Sequence, residues 1–296
     1  MILVMAATGM FGRGVVRSLA QLGQPVRATG RSLTSLSSLQ GPGVELVPAD
    51  MDDPKDLERL MDGVDRVLVN APMDDNKELR ERNIIQAMIN TGQRPQIVLL
   101  TGGVDHDDSL GAAGEAVEQF MRDSGLPWTI VGPQTVMESN FLPFKELIQM
   151  DQMILSCVGT SRVGFVALQD VTDAFVAVLT APIAEHDGCE YIITGPDSVC
   201  FSDVAAAASQ ALDREIVYQD MPRDAFRQLM LEEAGFTPET VDLGVMCHLD
   251  AFRAGKARRV TTDFQRLTRR QPTSVQQWWC QHAEMFLSNP ESQDQA

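Results

Sequence analysis

The chain opens with a short apolar run, a glycine-containing turn and an amphipathic helix, in that order. Residues 2–6 are predicted to form a fully buried strand, and apolar residues recur at helical spacing over 11–22. Ala6, Gly9 and Gly12 follow one another at intervals of three residues. Small residues at such a junction let the backbone turn tightly and approach a phosphate at the helix N-terminus. The opening therefore predicts a βαβ fold that holds the pyrophosphate of a dinucleotide.

Apolar β-type segments continue to alternate with helical patterns until about residue 133. Strands are predicted at 25–29, 44–48, 66–70, 96–100 and 128–131, and helices at 54–61, 76–90 and 114–123. Strands separated by helices pair in parallel, and their crossovers are right-handed. The predicted fold class is therefore α/β, a Rossmann-type doubly wound parallel sheet.

The alternation loosens in the second half of the chain. Helices are predicted there at 172–179, 202–212, 223–234 and 274–287, with short strands at 190–194 and 215–219. We expect residues 1–133 to form the dinucleotide-binding domain, with later segments returning to its sheet. Residues 134–288 are expected to form a smaller, mostly helical portion that covers a substrate. The polar residues 289–296 are expected to be a frayed tail.

Charge and cysteine usage exclude several classes of function. The 24 basic and 41 acidic residues give a net charge of −17, which argues against binding to nucleic acid or to anionic membranes. No apolar run reaches the roughly 18 residues of a membrane span. The five cysteines are scattered, and neither they nor the four histidines show metal-ligand spacing. These features favour a cytoplasmic protein without a metal site.

The residues after the second predicted strand indicate which dinucleotide binds. An NAD(H) site usually carries an acidic residue there for the ribose 2′-hydroxyl, whereas this chain has Arg31 and Ser32. A guanidinium and a hydroxyl suit a 2′-phosphate, so NADP(H) is favoured over NAD(H). The residues predicted to line the cofactor are Ala6, Thr8, Gly9, Met10, Phe11, Gly12, Arg31, Ser32, Asp50, Met51, Asn70, Ala71, Pro72, Thr101 and Gly102.

Several segments, taken in order, resemble the NmrA-like atypical short-chain dehydrogenase/reductases, in particular the azoreductase-like and triphenylmethane-reductase-like branch. The strand and turn at 2–9 are similar to that family's, with Met5 and Ala6 in place of the usual Thr-Gly. The other similar segments are 44–50, 53–54 with Leu57, 63–65, 124–130 with Pro133, 137–140, 170–174, 191–196 and 267–272. The resemblance implies reduction of quinones, dyes or plant phenolics, or NADP(H) sensing without turnover.

The residues that usually complete such a catalytic site are missing. Neither Tyr191 nor Tyr218 is followed four residues later by a lysine, so the Tyr-x-x-x-Lys pair is absent. The resemblance places a lysine four residues before a helical glutamate, which matches Glu118 here, and Gly114 occupies the lysine position. Reduction assisted by that lysine is therefore not expected.

The remaining catalytic candidates are Thr101, His106 and Asn140. His106 is either a proton donor or a solvated histidine beside three aspartates. A substrate pocket is predicted at Gln134, Met137 and Glu138. The leading hypothesis is an NADPH-dependent reductase of a hydrophobic aromatic or conjugated small molecule. The alternatives are an NADP(H)-sensing regulator or scaffold and a lyase, isomerase or cyclase, and the oligomeric state is open between monomer and homodimer.

Overall fold

A parallel sheet of seven strands organises the protein, with the spatial order β3–β2–β1–β4–β5–β6–β10. The computed structural model describes residues 1–104, 109–232 and 237–287. The strands are β1 (Ile2–Val4), β2 (Val26–Gly30), β3 (Val44–Pro48), β4 (Arg66–Val69), β5 (Gln96–Leu100), β6 (Trp128–Pro133), β7 (Thr135–Val136), β8 (Met153–Ser156), β9 (Phe165–Val166), β10 (Cys189–Ile193) and β11 (Val217–Asp220). The direction of winding reverses between β1 and β4, where doubly wound sheets bind ligands.

The central strands are apolar on both faces because helices cover both. Leu3 faces one side of the sheet, whereas Ile2 and Val4 face the other, and all three are buried. The α-helices are α1 (Met10–Gln21), α2 (Leu33–Leu36), α3 (Pro54–Leu60), α4 (Lys77–Asn90), α5 (Ser109–Asp123), α6 (Met137–Phe141), α7 (Lys145–Asp151), α8 (Leu168–Thr180), α9 (Phe201–Leu212), α10 (Arg223–Glu232), α11 (Pro238–Val241), α12 (Cys247–Arg253), α13 (Asp263–Thr268) and α14 (Val275–Leu287). Helices α1, α8 and α13 cover one face, and α3, α4 and α5 cover the other.

A third apolar core fills the second half of the chain. Helix α14 packs against α9, and the rings of Trp278 and Trp279 lie completely buried between them and α6. Phe141 is 4.9 Å from Phe165 and 5.7 Å from Trp279, measured between ring centroids. Two small sheets, β8 with β11 and β7 with β9, border this core. Strand β10 then returns to the main sheet beside β6.

The structure confirms the predicted fold class and corrects several boundaries. The first strand ends at Val4, because Ala6 adopts a left-handed φ of 45°. Helix α5 begins at Ser109 rather than at Gly114, and β6 continues to Pro133. Sequence patterns missed the two-residue strands β7 and β9, which are too brief to show an alternation, and the four-residue strand β8. No described helix is long and apolar enough to cross a membrane.

Candidate dinucleotide and substrate site

The turn between β1 and α1 brings backbone into very close contact with backbone. The Gly9 amide donates to the Ala6 carbonyl oxygen over 2.9 Å. A β-carbon at Gly12 would lie 2.6 Å from that same oxygen and 2.7 Å from the Ala7 α-carbon. Only glycine fits at position 12, so the sequence keeps the turn tight against the first turn of the helix.

The N-terminus of α1 has the features of an anion-binding site. Its N-cap residue, Gly9, offers no side-chain hydrogen bond, and no acidic residue lies in the first helical turn. The first amides of a helix lack intrahelical partners and carry the positive end of its dipole. Arg13 adds a guanidinium that donates to the Thr8 carbonyl oxygen over 3.2 Å. Met10 is exposed, whereas Phe11 packs on the sheet. The cofactor residues predicted from sequence did not include Arg13, although it directly follows Gly12 of the turn.

The end of β2 carries the groups predicted to recognise the adenosine half. Thr29 is buried, and its hydroxyl has no hydrogen-bond partner among the described residues. Arg31 is exposed and forms no hydrogen bond or ion pair within the described part of the chain. Ser32 is already engaged, because its hydroxyl accepts from the Ser35 amide over 3.2 Å as the N-cap of α2. Arg31 is therefore the available cation at this position.

The loops after β3 and β4 form the next part of the rim. The Asp50 carboxylate accepts from the Asp52 amide over 2.9 Å, which fixes its loop, and Met51 is half-buried. Asn70 and Ala71 are buried and Pro72 is exposed. These residues lie at the carboxyl edge of the sheet, as predicted.

A buried ion pair supports the start of α4 beside that rim. Both carboxylate oxygens of Glu81 accept from the Lys77 ammonium, over 2.6 and 2.7 Å. Burial raises the pKa of Glu81, while the Lys77 charge acts in the opposite direction. The pair is an unexpected feature, since a pattern of charged residues on a helix does not show which of them is buried.

Thr101, at the end of β5, donates to the Glu118 carboxylate over 3.2 Å. Arg122 binds the other Glu118 oxygen over 3.0 Å and reaches Glu190 over 2.6 Å. Its hydrogen bond to Glu190, followed by that to Glu118, raises the pKa of Arg122. Because the Thr101 hydroxyl hydrogen is directed at Glu118, only the lone pairs of its oxygen are left for a ligand.

The loop after β6 contains two buried oxygens without partners. Gln134 is buried, and its Oε1 has no hydrogen-bond partner among the described residues, while its Nε2 donates to the Lys256 carbonyl over 3.4 Å. The neighbouring Thr135 Oγ1 is also without a partner. A β-carbon at Gly103 would lie 2.8 Å from the Gln134 α-carbon, so the β5 and β6 loops touch here. A buried amide oxygen such as Gln134 Oε1 calls for a donor, and an amide group of a bound ligand would satisfy it.

The other predicted pocket residues mostly hold the protein together. The Asn140 amide donates to the Val136 carbonyl over 2.8 Å, and Met137 is completely buried in the third core. Glu138 accepts from the Leu168 amide over 2.8 Å and from the Trp278 indole over 2.9 Å. It therefore joins three helices. The substrate and catalytic roles expected of these residues from sequence stay predictions, and Glu138 also lines a groove between α1, α8 and α14.

His106 lies outside the described residues, and Gly102 is exposed beside Thr101. At Gly114, a β-carbon would meet nothing within 4 Å, so α5 has open space where the lysine was expected. The glycine-lined turn, the uncapped helix and the unpartnered buried oxygens fit a dinucleotide bound across the carboxyl edge of the sheet. Within the described part of the chain, no group of His, Cys, Asp and Glu residues is arranged to hold a metal ion.

The fold and this site define a Rossmann-type dinucleotide-binding protein. The model of the NmrA-like family matches residues 1–248, and the chain belongs to that family. It is 32% identical over 289 residues to the (4-alkanoyl-5-oxo-2,5-dihydrofuran-3-yl)methyl phosphate reductase of Streptomyces griseus, covering 97% of this chain and 99% of the relative. It is 29% identical over 233 residues to the NAD(P)H azoreductase of Xenophilus azovorans, covering 78% and 80%.

Solved structures share the fold at lower sequence identity. Triphenylmethane reductase from Citrobacter sp. superimposes with a TM-score of 0.86 at 21% identity, covering 95% of this chain and 98% of that one. The NADPH complex of a quinone oxidoreductase from Escherichia coli gives a TM-score of 0.85 at 19% identity, covering 95% and 99%. At these identities the likeness establishes the fold.

Proposed function

We propose that this protein is an NADPH-dependent reductase that transfers hydride to an aromatic or conjugated small molecule. The observation that carries the proposal is the unpaired Arg31 at the end of β2, on the same sheet edge as the uncapped N-terminus of α1. Together they supply a fork for a 2′-phosphate and amides for a pyrophosphate. A cytoplasmic location, supported by five free cysteines, belongs to the same proposal.

The names of the relatives support the class of substrate. One relative is named for a butenolide phosphate and another as an azoreductase. An α,β-unsaturated lactone and an azo dye share an electron-poor double bond in conjugation. Such a bond accepts hydride at one end and leaves negative charge at the other. We therefore assign this chain to substrates with an activated C=C, C=N or N=N bond, and the butenolides are the preferred group.

Three loops of the described chain would bind the cofactor and the substrate. NADPH, when bound, supplies the hydride. Residues Gly9–Gly12 and Arg31 anchor the phosphates, and the Gln134 Oε1 is available to accept from an amide. Thr101 accepts rather than donates, since its hydroxyl hydrogen is directed at Glu118. The proton that completes reduction therefore comes from water or from His106, which lies outside the described residues, and a product that is stable as its anion needs none.

Calorimetric titration with NADPH, NADP⁺, NADH and NAD⁺ tests the cofactor assignment. We expect Arg31→Ala to weaken binding of NADPH roughly 10- to 100-fold and to leave NADH unchanged, because one charged hydrogen-bonded pair is lost. Arg94 provides a matched control, since it is equally exposed but lies just before β5, at the opposite edge of the sheet. Equal loss for both nucleotides, or no loss, contradicts the assignment. Substrate-dependent loss of NADPH absorbance then tests turnover.

A second function, NADP(H) sensing without turnover, is favoured by one observation. Glycine occupies the position of the expected lysine, and the side chains of Thr101 and Asn140 are engaged within the protein. This function predicts different affinities for NADP⁺ and NADPH and a conformational change that accompanies only one of them. Oxidation of NADPH by any conjugated substrate at enzymatic rates decides for the reductase.

A further inference from the structure

A groove of about 550 Å³ opens beside the phosphate turn. One wall is the face of α1 that carries Met10, Arg13 and Arg17, and the opposite walls come from the start of α8 and from α14. Met10 directly follows Gly9 of the turn, and Glu138 on the far wall lies four residues beyond Gln134. The groove therefore begins beside the phosphate turn, and the helix on its far wall directly follows the loop of Gln134, whose free Oε1 we assign to the nicotinamide amide.

The carboxylates of this groove are already bound by donors of the protein. Glu138 holds the Leu168 amide and the Trp278 indole. Asp170 is buried and accepts from the Thr273 amide over 2.6 Å. Asp173 pairs with Arg270. Asp173 and Arg270 therefore neutralise each other, whereas Glu138 and Asp170 are held by uncharged donors.

Arg13 and Arg17 are left without a carboxylate among the described residues. Arg13 donates only to the Thr8 carbonyl, and Arg17 forms no hydrogen bond or ion pair within the described ranges. They stand four residues apart on α1, a spacing at which like charges repel. In a chain with net charge −17, two adjacent unpaired guanidiniums facing one groove indicate an anionic ligand.

We propose that this groove binds the phosphate monoester of a phosphorylated conjugated substrate, through the guanidiniums of Arg13 and Arg17. The inference rests on the proposed function and names its substrate more closely: the reducible bond lies at the nicotinamide end and the phosphate lies along α1. Two guanidinium forks match the oxygens of a phosphate monoester, which carries close to two negative charges at neutral pH. Because Arg13 also donates to the Thr8 carbonyl oxygen of the phosphate turn, a substitution there would affect both ligands. A substitution of Arg17 therefore tests substrate binding separately from cofactor binding.

Binding to the complex with NADP⁺ tests the proposal without requiring turnover. The probes are (4-hexanoyl-5-oxo-2,5-dihydrofuran-3-yl)methyl phosphate and the corresponding alcohol, titrated by calorimetry. We expect the phosphate to bind roughly 10- to 100-fold more tightly than the alcohol, with a preference that shrinks as salt is added. Arg17→Ala should remove most of this preference, Arg17→Lys should keep part of it, and Arg94→Ala should leave it intact.

Equal affinity for phosphate and alcohol, binding of neither, or an undiminished preference in Arg17→Ala overturns the groove as a phosphate site. The NADP⁺ affinity of Arg17→Ala, measured in the same experiment, shows whether any loss reaches the cofactor. Failure of the proposed function is a separate result, namely tight binding of the phosphate without oxidation of NADPH.

Discussion

Replacing Gly12 by alanine tests whether the phosphate turn is as tight as its geometry indicates. The added β-carbon would lie 2.6 Å from the Ala6 oxygen and 2.7 Å from the Ala7 α-carbon, and both are backbone atoms that cannot rotate away. Overpacking of this kind costs about 1–3 kcal/mol. The better helix propensity of alanine returns about 1 kcal/mol. We expect the free energy of unfolding to fall by up to about 2 kcal/mol.

The same displacement should weaken NADPH binding by at least roughly 10-fold, because the amides at the helix N-terminus move away from the pyrophosphate. Gly114→Ala is the matched control, since its β-carbon meets nothing within 4 Å. It should raise the free energy of unfolding by about 1 kcal/mol and leave the NADPH affinity unchanged. Denaturant unfolding and calorimetry measure both quantities. A Gly12→Ala variant with wild-type NADPH affinity would refute the argument.

Three further outcomes follow from single contacts. Gly114→Lys should raise NADPH-dependent turnover of a quinone by about 10-fold or more, because it places a cation one turn before Glu118; unchanged kcat at unchanged NADPH affinity contradicts this. Glu138→Ala should lower the free energy of unfolding by about 2–4 kcal/mol, since two donors lose their acceptor, and Glu138→Gln by clearly less, as denaturant titration would show. Burial lowers the pKa of His186 below its ordinary value of 6.5, so the unfolded chain takes up a proton there first and stability falls as pH drops below 6.5. Unfolding measured between about pH 5 and pH 8, roughly 1.5 units either side of an ordinary histidine pKa, should show part of this fall vanish in His186→Gln.

The parallel sheet was predictable because its signals are local and repeated. Strands β1, β4, β5 and β6 are largely apolar runs next to helices, and burial on both faces leaves few alternatives for such a run. The short strands β7 and β9 contain two residues each, which is too few to show a period. Their pairing depends on where distant segments of the chain meet, and a local pattern does not contain that information.

The candidate site was likewise predictable in part. The turn, Arg31 and the loops at the strand ends follow from chain order, since parallel strands place their carboxyl ends at one edge. The partners of polar side chains do not follow from it. Nothing in the sequence indicates that Glu138 is bound by Trp278, 140 residues away, or that Arg17 is left unpaired. Its place after the sixth strand made Glu138 a substrate candidate, and its contacts show in addition that it links α6 to α8 and α14.

The position of β10 affects how the chain is completed during synthesis. This strand pairs with β6, but 55 residues lie between Pro133 and Cys189. Until they have left the ribosome, β6 is an edge strand with unpaired backbone groups and the buried side chains of Ile130 and Val131 nearby. A fragment that stops at residue 133 therefore exposes an aggregation-prone edge, and shortened versions of this protein should retain the chain through Ile193.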